Sequence, residues 1–349
     1  MRYINAKSFA NKQLNKLEIR LKKVGLLSKP IEIHLEPTLR CNASCVMCNR
    51  QYVRKEEVRS SGFLTWEIFD KVRPFFPYAE QVLLGGFGEA LLHPDYIDMV
   101  REIKRYGPQV YFFTNAVSLR PEIAAGLVES GLDLICVSIG GSTSKTHAYV
   151  RGADTLGRVI DNIRSLNRIK AENGNGRPDI SFNVVAMNSV LPEINGILDL
   201  AKELQVGSLW MPQVVAQHQE MIEESPWIRV EEAKRYFREA ERKAEELGIE
   251  LHLPNLDESI GDCLSFFQEI NVAWDGKVFS CAFERFILGD LHTHTIEEIW
   301  NGPGYVKVRT GYFEKGIQEV CPNCTTWSNE PSAHLHPAAN SREFAERLF

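Results

Sequence analysis

The stretch of sequence that decides the fold is residues 31–48, which read IEIHLEPTLRCNASCVMC. Its first half alternates apolar and polar residues with a period of two, which predicts a β-strand with two different faces. The polar face carries Glu32, His34 and Glu36. Three cysteines follow in the loop directly after this strand. In a barrel of parallel strands, such a loop lies at the carboxyl rim, where active-site groups are placed.

Short apolar segments alternate with helical segments after this strand, as is typical of parallel strands joined by crossover helices. The pattern predicts strands over residues 31–36, 81–86, 109–114, 134–139, 180–187 and 208–212. It predicts helices over residues 65–75, 94–106, 121–130, 155–171 and 192–204. The fold class is therefore α/β, and we expect a partial (β/α)6 TIM-like barrel followed by a small cysteine-rich domain.

The domain organisation follows from shifts in composition along the chain. We expect a basic N-terminal helix in residues 1–30, the barrel in 31–229, a linker helix in 230–254, a cysteine-rich unit in 255–330 and a tail in 331–349. Within the cysteine-rich unit, the segment Trp274-Asp275-Gly276-Lys277 predicts a β-hairpin turn.

The polar face of the first strand should point into the barrel, because helices cover the outside. Glu32, His34 and Glu36 in the lumen have two interpretations. They line a cavity for a polar ligand, or they pair with one another near a rim. Both interpretations stay open from the sequence.

Charge and composition limit the classes of function. The chain has 349 residues and a net charge of -6, which disfavours a nucleic-acid-binding surface. No signal peptide or membrane-spanning stretch is visible, so we expect a cytoplasmic protein. Residues 1–30 carry eight basic side chains and one acid, Glu18. We expect a helix that packs on its own barrel, and the alternative is a basic amphipathic helix on a membrane surface or a partner.

Eight cysteines in a reducing compartment favour metal or redox chemistry over disulfides. Cys41, Cys45 and Cys48 form the pattern C-x3-C-x2-C. Because a 4Fe-4S cluster takes four ligands, a three-cysteine set leaves one iron open for an outside ligand. A zinc site is the alternative, although zinc favours a fourth Cys or His nearby in sequence.

The triplet and its position after the first strand resemble the radical S-adenosylmethionine superfamily. This resemblance implies that the open iron binds the amino and carboxylate groups of S-adenosylmethionine. Electron transfer from the reduced cluster then cleaves the cofactor to a 5'-deoxyadenosyl radical, which takes a hydrogen atom from the substrate. The expected cofactors are this cluster, S-adenosylmethionine and an auxiliary 4Fe-4S cluster, with flavodoxin or ferredoxin as the electron donor.

The same resemblance assigns residues that contact S-adenosylmethionine. Gly85-Gly86-Phe87-Gly88-Glu89 is similar to the glycine-glutamate motif of the family, whose backbone and carboxylate hold the methionyl amino group. Two departures are Ala116, where the family has glycine, and Gly140, where many members have aspartate. The expected cofactor contacts are Met47, Gly86, Gly88, Glu89, Asn115, Ser138 and Arg151.

A second resemblance covers the cysteine-rich unit. Cys263, Cys281, Cys321 and Cys324, with Gly276 between the first two, resemble the SPASM/twitch auxiliary-cluster domain. Four cysteines suffice for one fully ligated 4Fe-4S cluster of the twitch type, which implies a role in electron transfer or in structure. A zinc ribbon is the alternative.

One cysteine is left over. Cys136 shares its strand face with Ser138, so it should point into the lumen, where a thiol could donate a hydrogen atom to a substrate radical. The alternative is a buried cysteine that acts only as a small hydrophobic side chain.

The reaction type therefore branches. The favoured hypothesis is oxidation of a small polar substrate, sugar-like or cyclitol-like, with the auxiliary cluster as electron acceptor. The alternatives are an epimerase that uses Cys136, a peptide maturase and a non-catalytic metal-binding scaffold. For a peptide maturase, we expect a peptide-recognition domain before the barrel, and the 30 leading residues leave no room for one. The expected substrate contacts are Glu32, His34, Glu36, Ser181 and Asn183.

Overall fold

The computed structural model describes residues 5–52, 55–174, 176–215, 219–256, 263–279, 281, 286–316 and 320. The described strands are β1 (Glu32–Leu35), β2 (Gln81–Leu84), β3 (Gln109–Thr114), β4 (Leu134–Ser138), β5 (Asp179–Asn183), β6 (Ser208–Trp210), β7 (Glu250–His252), β8 (Glu269–Val272), β9 (Lys277–Phe279) and β10 (Ile287–Asp290).

The described α-helices are α1 (Ala6–Arg20), α2 (Asn49–Tyr52), α3 (Lys55–Ser60), α4 (Trp66–Val72), α5 (Tyr96–Lys104), α6 (Pro121–Glu129), α7 (Ser144–Arg151), α8 (Leu156–Asn173), α9 (Ile194–Glu203), α10 (Gln219–Glu223), α11 (Val230–Leu247), α12 (Ser265–Gln268), α13 (Ile296–Trp300) and α14 (Pro303–Lys315). Short 3-10 helices occupy Arg73–Tyr78, Ala90–Leu92, Leu191–Glu193 and Pro226–Arg229.

One sheet contains all ten described strands, in the order β10-β9-β8-β1-β2-β3-β4-β5-β6-β7. Strands β1 to β7 are parallel to their neighbours, as expected when helices cross over between consecutive strands. The predicted α/β class and its six parallel strands are confirmed. The predicted strands ran up to four residues past the observed ends, most of all after β5, where residues 184–187 are also apolar.

The segment that we expected to be a linker helix, residues 230–254, contributes a strand to the sheet. Helix α11 packs against α9, and β7 then pairs in parallel with β6 through Leu209 and Leu251. A strand of three residues is too short to give a period-two signal, which is why the sequence did not reveal it.

The cysteine-rich unit is joined to the barrel by main-chain hydrogen bonding. Its first strand, β8, pairs in parallel with β1, with Glu32 opposite Glu269 and His34 opposite Asn271. The predicted hairpin is confirmed, since β8 and β9 are antiparallel and Gly276 in the turn has a φ of +83°. The auxiliary unit therefore extends the barrel sheet at the side of β1.

The N-terminal helix α1 packs on the barrel, but with its polar face. Its buried side chains are Ser8, Asn11, Asn15 and Glu18. Asn11, Asn15, Glu18 and the N-cap Asn5 bond to backbone groups in the segments that precede β1, β2, β3 and β8, with partners that include Leu27, Lys29, Pro77, Tyr78, Tyr106 and Phe267. Helix α1 thus closes the amino-terminal end of the barrel by satisfying loop carbonyls that a hydrophobic face would leave unpaired.

The opposite face of α1 is open and mixed in character. Phe9, Leu17 and Leu21 are 52%, 52% and 60% exposed, and they alternate with exposed Lys16 and Arg20. Contact of this face with a membrane or a partner stays a prediction. Among the helices of the described residues, none combines the length and apolar character needed to cross a bilayer.

The packing of α1 through its polar face can be tested with a pair of substitutions. Asn15→Leu should lower the free energy of unfolding by about 1–3 kcal/mol, because the Phe267 carbonyl and Ser28 hydroxyl lose their buried donor. Leu17→Asn should change it by less than about 0.5 kcal/mol, because the side chain is exposed. Urea unfolding of both variants would measure this, and the reverse ranking would show that α1 docks by its apolar face.

Candidate active site

The three-cysteine loop, residues 41–48, leaves the carboxyl rim of the barrel and is braced by the end of helix α7. The backbone N–H groups of Ser44 and Val46 donate to the carbonyls of Arg151 and Val150 at 3.3 and 3.1 Å. Gly152 ends α7 in a left-handed conformation, with a φ of +81°, against the Ser44 backbone. A side chain at this position would collide with the loop, so the glycine permits the brace.

The three thiols lie together in a partly buried place. Cys45 is buried, and Cys41 and Cys48 are half-buried. Burial first, and then the neighbouring thiols, raises the pKa of Cys48 to about 11, and burial also raises the pKa of Cys41. Thiolates here therefore need a cationic partner, such as the irons of a cluster. Among the described residues, no three His, Cys, Asp or Glu side chains are grouped as ligands of one metal ion.

The glycine-glutamate motif packs tightly on the start of the cysteine loop. A Cβ at Gly88 would overlap the carbonyl oxygen of Thr38 and lie 2.7 Å from that of Arg40. A Cβ at Gly86 would lie 2.6 Å from Glu36 Oε1. Both glycines are therefore needed for protein packing.

Glu89 is buried and joins the motif to the end of β3. Its carboxylate accepts from the Thr114 hydroxyl at 2.7 Å, from the Asn115 backbone N–H at 2.8 Å and from the Leu91 N–H at 3.2 Å. Burial raises its pKa, against the lowering effect of these donors and of Arg151. Glu89 thus fixes the loop after β3 as well as being an expected cofactor contact.

Asn115 and Ala116 continue this loop. The Asn115 amide nitrogen donates to Asn42 at 2.6 Å and lies 3.9 Å from Cys41 Sγ. Ala116 has a φ of +56°, a left-handed conformation that glycine adopts more easily. This explains physically why glycine is usual at the position, and Asn162 holds the strained backbone by donating to the Ala116 carbonyl at 2.7 Å.

The remaining expected cofactor contacts lie at the same rim. Met47 is partly buried against the core, Ser138 is buried at the end of β4 opposite Asn183, and Arg151 is close enough to Glu89 to lower the pKa of its carboxyl group. The structure therefore brings these residues together, and their contacts with S-adenosylmethionine stay a prediction.

A cavity of about 350 Å³ opens beside this rim. It reaches from Gly86 and Phe87 of the glycine-glutamate motif to Cys281 of the cysteine-rich unit. Its size is within the usual range of small-molecule sites. Most of the wall is apolar or aromatic, and His34, Glu36 and Asn271 are polar members; the other lining residues are Leu83, Gly85, Tyr111, Phe113, Val272, Ala273 and Phe279.

A hydrogen-bonded network lies on the amino-terminal side of the cavity. The Glu32 carboxylate accepts hydrogen bonds from His34 Nε2 at 2.8 Å, from the Tyr111 hydroxyl at 2.6 Å and from the Gln81 amide nitrogen at 2.6 Å. Burial opposes ionisation of Glu32, but these donors outweigh it, and its pKa is lowered. Burial also opposes a charged His34, yet the partners Glu32, Glu269 and Asn271 raise the pKa of His34. Glu32 and His34 therefore form a partly buried pair in which each partner favours the charged state of the other.

The expected substrate residues are placed differently from one another. His34 and Glu36 line the cavity, whereas Glu32, Ser181 and Asn183 are not among its described lining residues. Both Ser181 and Ser208 use their hydroxyls in bonds between β5 and β6. Glu32 thus pairs with His34, as the second interpretation of β1 expects, and His34 also reaches a cavity; binding of a polar ligand there stays a prediction.

Cys136 faces the lumen on β4 and is buried. Burial raises its pKa to about 12, so the thiol carries its hydrogen at neutral pH. It interacts with Tyr111 but is not among the described residues that line the cavity. Its role as a hydrogen donor stays a prediction.

The auxiliary site is described in part. Cys263 donates to Ser265 at 3.2 Å, Ser265 donates to Glu269 at 3.0 Å, and Cys281 lines the cavity. The other two expected ligands, Cys321 and Cys324, lie outside the described residues, as does the expected tail.

Sequence reasoning missed Asn271 and the aromatic walls of the cavity. The signal was present, because β8 reads Glu-Ile-Asn-Val and repeats the polar-apolar alternation of β1. The aromatic residues Phe87, Phe113 and Phe279 lie on three separate segments, so only the fold brings them together.

Comparison with known proteins identifies two families. The model of the radical SAM superfamily matches residues 35–196, and that of the SPASM iron-sulfur cluster-binding domain matches residues 263–325. Two curated relatives are each 25% identical to this chain, and each alignment covers 86% of this chain. One is the tungsten-containing aldehyde ferredoxin oxidoreductase cofactor-modifying protein of Pyrococcus furiosus, of which 92% is covered. The other is the AdoMet-dependent heme synthase of Methanosarcina barkeri, of which 93% is covered.

Among solved structures, Streptococcus suis SuiB bound to its precursor peptide SuiA is similar in fold. The TM-score is 0.65 at 14% identity, and the match covers 91% of this chain and 76% of SuiB.

The packing role of Gly88 gives a prediction. Gly88→Ala should prevent assembly of the cluster at Cys41, Cys45 and Cys48, because the added methyl group overlaps the Thr38 carbonyl. Iron per chain after anaerobic reconstitution should fall by about four. Gly157→Ala is the matched control, since nothing lies within 4 Å of its Cβ. Full iron loading of Gly88→Ala would refute the packing argument.

Proposed function

We propose that this chain, a member of the radical S-adenosylmethionine superfamily with a C-terminal SPASM domain, oxidises an organic substrate held in the cavity between its two cysteine sites. The observation that carries the proposal is the cavity itself. One wall is the glycine-glutamate motif, expected to hold S-adenosylmethionine, and another includes Cys281, expected to bind the auxiliary cluster.

The two family matches imply S-adenosylmethionine and iron-sulfur clusters as cofactors. When bound, the cluster of Cys41, Cys45 and Cys48 supplies the electron that cleaves S-adenosylmethionine, and the auxiliary cluster offers an acceptor for the electron that the substrate loses. The residues of the chain hold the substrate between these two places. The largely apolar wall offers water few hydrogen-bond partners, and low water content around a radical reduces side reactions.

The hydrogen balance assigns a role to Glu36. Oxidation of an alcohol or amine removes one hydrogen atom from carbon, one electron and one proton from oxygen or nitrogen. Glu36 is a buried carboxylate that lines the cavity and accepts from the Phe87 backbone N–H at 3.2 Å. It is the group we propose for receiving the proton.

The lining also bears on the class of substrate. Four aromatic residues border the cavity: Phe87, Tyr111, Phe113 and Phe279. We propose a substrate with an apolar or flat body and few polar groups. A sugar or cyclitol is the second candidate, since aromatic faces also contact sugar rings and β1 supplies polar groups. The relatives named for cofactor modification and heme synthesis support non-peptide substrates.

The alternatives rest on particular observations. Epimerisation by Cys136 is supported by the protonated, lumen-facing thiol. Peptide modification is supported by the fold similarity to the peptide-bound SuiB structure. A flavodoxin or ferredoxin remains the proposed electron donor. A non-catalytic scaffold would bind metal without cleaving S-adenosylmethionine.

The cluster assignment can be tested with a variant in which Cys41, Cys45 and Cys48 are all alanine. After anaerobic reconstitution, the parent should hold about eight irons per chain and the variant about four, because each 4Fe-4S cluster contributes four. Dithionite and S-adenosylmethionine should yield 5'-deoxyadenosine from the parent alone. Zinc in place of iron would contradict the proposal, as would 5'-deoxyadenosine from the variant.

Cys136→Ala separates oxidation from epimerisation. With the first substrate that stimulates cleavage of S-adenosylmethionine, the variant should still form oxidised product, because the auxiliary cluster is the proposed electron acceptor. Product analysis by mass spectrometry would measure this. If the product disappears while 5'-deoxyadenosine is still formed, hydrogen donation by Cys136 is required and the epimerase alternative is favoured.

A further inference from the structure

Helix α1 is amphipathic in the reverse sense of an ordinary surface helix. It turns its asparagines and Glu18 toward the barrel and leaves apolar side chains on the outside. Phe9 and Leu17 are each 52% exposed, and Leu21, directly after the last turn, is 60% exposed. Single exposed apolar side chains are ordinary, whereas several on one side of a helix mark a contact surface.

The exposed charges around these apolar side chains are all basic. Within residues 5–30 the one acid is Glu18, which is buried and accepts from the backbone N–H groups of Leu27 and Ser28 at 2.7 and 3.1 Å. The exposed cations are Lys7, Lys16, Arg20, Lys22 and Lys23. The last four form no ion pair within the part of the chain that the structure describes. These cations and the three apolar side chains make up the outer face of α1, which attracts anionic surfaces.

We propose that the outer face of α1 docks the protein on an anionic lipid bilayer. Phe9, Leu17 and Leu21 insert at the level of the headgroups, and the cations contact lipid phosphates. Apolar side chains combined with Lys and Arg are typical of helices that lie in the membrane interface. The long stems of Lys16 and Arg20 let their charges stay among the headgroups while neighbouring apolar side chains lie deeper.

The helix is prepared for this contact, because its polar face already fixes it on the barrel. Asn11 donates to the carbonyls of Lys29 and Tyr78, and Asn15 donates to the Phe267 carbonyl at 2.7 Å. Docking therefore orders no backbone, and the entropy that a disordered segment would lose on binding is not lost here. The helix lies on the bilayer surface and does not cross it.

Size and position favour a bilayer over a protein partner. Helix α1 has 15 residues, so it is about 22 Å long and about 10 Å wide. By itself it offers far less than the ~800 Å² that each partner of a stable protein interface buries. Helix α1 also closes the amino-terminal end of the barrel, whereas the cysteine loop leaves the carboxyl rim. An electron donor on α1 would therefore lie at the opposite end of the barrel from the cluster.

Sedimentation with lipid vesicles tests the proposal on the full, anaerobically reconstituted chain. Vesicles of equal parts phosphatidylcholine and phosphatidylglycerol are compared with vesicles of phosphatidylcholine alone. The protein should partition onto the anionic vesicles at least about ten-fold more strongly, because each basic residue near an anionic surface contributes about five-fold. High salt should weaken this preference, because it screens the charges.

A pair of charge substitutions assigns the binding to α1. Lys16→Gln combined with Arg20→Gln should lower partition onto the anionic vesicles by about 25-fold, the product of two five-fold factors. Arg238→Gln combined with Arg242→Gln is the matched control, since both residues are exposed on α11 and the net charge changes equally. This control should retain the parental partition coefficient.

An apolar substitution tests insertion separately from charge. Leu17→Gln keeps every charge and should lower partition by about five-fold, less than full burial of a leucine would give, because the side chain is only partly inserted. Ile228→Gln is the matched control, because Ile228 is 47% exposed on another part of the described surface. It should bind vesicles as the parent does.

Equal partition of the parent onto anionic and neutral vesicles would overturn the proposal, as would parental partition of both α1 variants. Loss of binding in the charge variant but not in Leu17→Gln would contradict insertion and assign the face to a partner held by charge alone. A dimer in sedimentation velocity that Leu17→Gln dissociates, without vesicle binding, would assign the face to a second copy. None of these measurements uses turnover, so the proposal stands or falls independently of the proposed reaction.

Discussion

The pairing of β1 with a strand on each side is the constraint on which the structure depends. On one side β2 leads into the barrel, and on the other β8 brings the cysteine-rich unit into the same sheet. The polar face of β1 extends this connection through side chains, since Glu32 bonds to residues of β2 and β3 and His34 contacts Asn271 of β8. The relative position of the two cysteine sites therefore follows from strand register rather than from a flexible linker.

The apolar face of the same strand packs into the hydrophobic core. Ile33 and Leu35 are fully buried in the core beneath the helices, so a shift of β1 by one residue would bury the carboxylates and expose the core. This fixes the register firmly. The register of β1 also positions the loop that follows it. The end of α7 holds this loop by hydrogen bonds, and the glycine-glutamate motif packs against its start. Rigid support of this kind suits a loop that must present three thiols together.

The cavity combines two properties that are rarely placed together. Its walls are mostly apolar, yet its floor rests on the partly buried Glu32–His34 pair and its hydrogen bonds. A buried charge pair is costly unless its partners satisfy it, and here Tyr111, Gln81 and Asn271 do so. Such a network holds its members in one arrangement. The polar groups of the cavity are thus concentrated at β1 and the adjacent β8 instead of being spread over the wall.

The sequence by itself determined the α/β class, the six barrel strands, the three-cysteine loop and the SPASM-like spacing, because periodicity and cysteine spacing are local patterns. It did not reveal that α1 packs by its asparagines, since an amphipathic pattern does not say which backbone carbonyls lie opposite. Only the tertiary structure decided that β8 adjoins β1, that His34 and Glu36 are among the described lining residues of the cavity while Ser181 is not, and that Asn271 contacts His34. These facts depend on contacts between residues more than 200 positions apart, which no local pattern encodes.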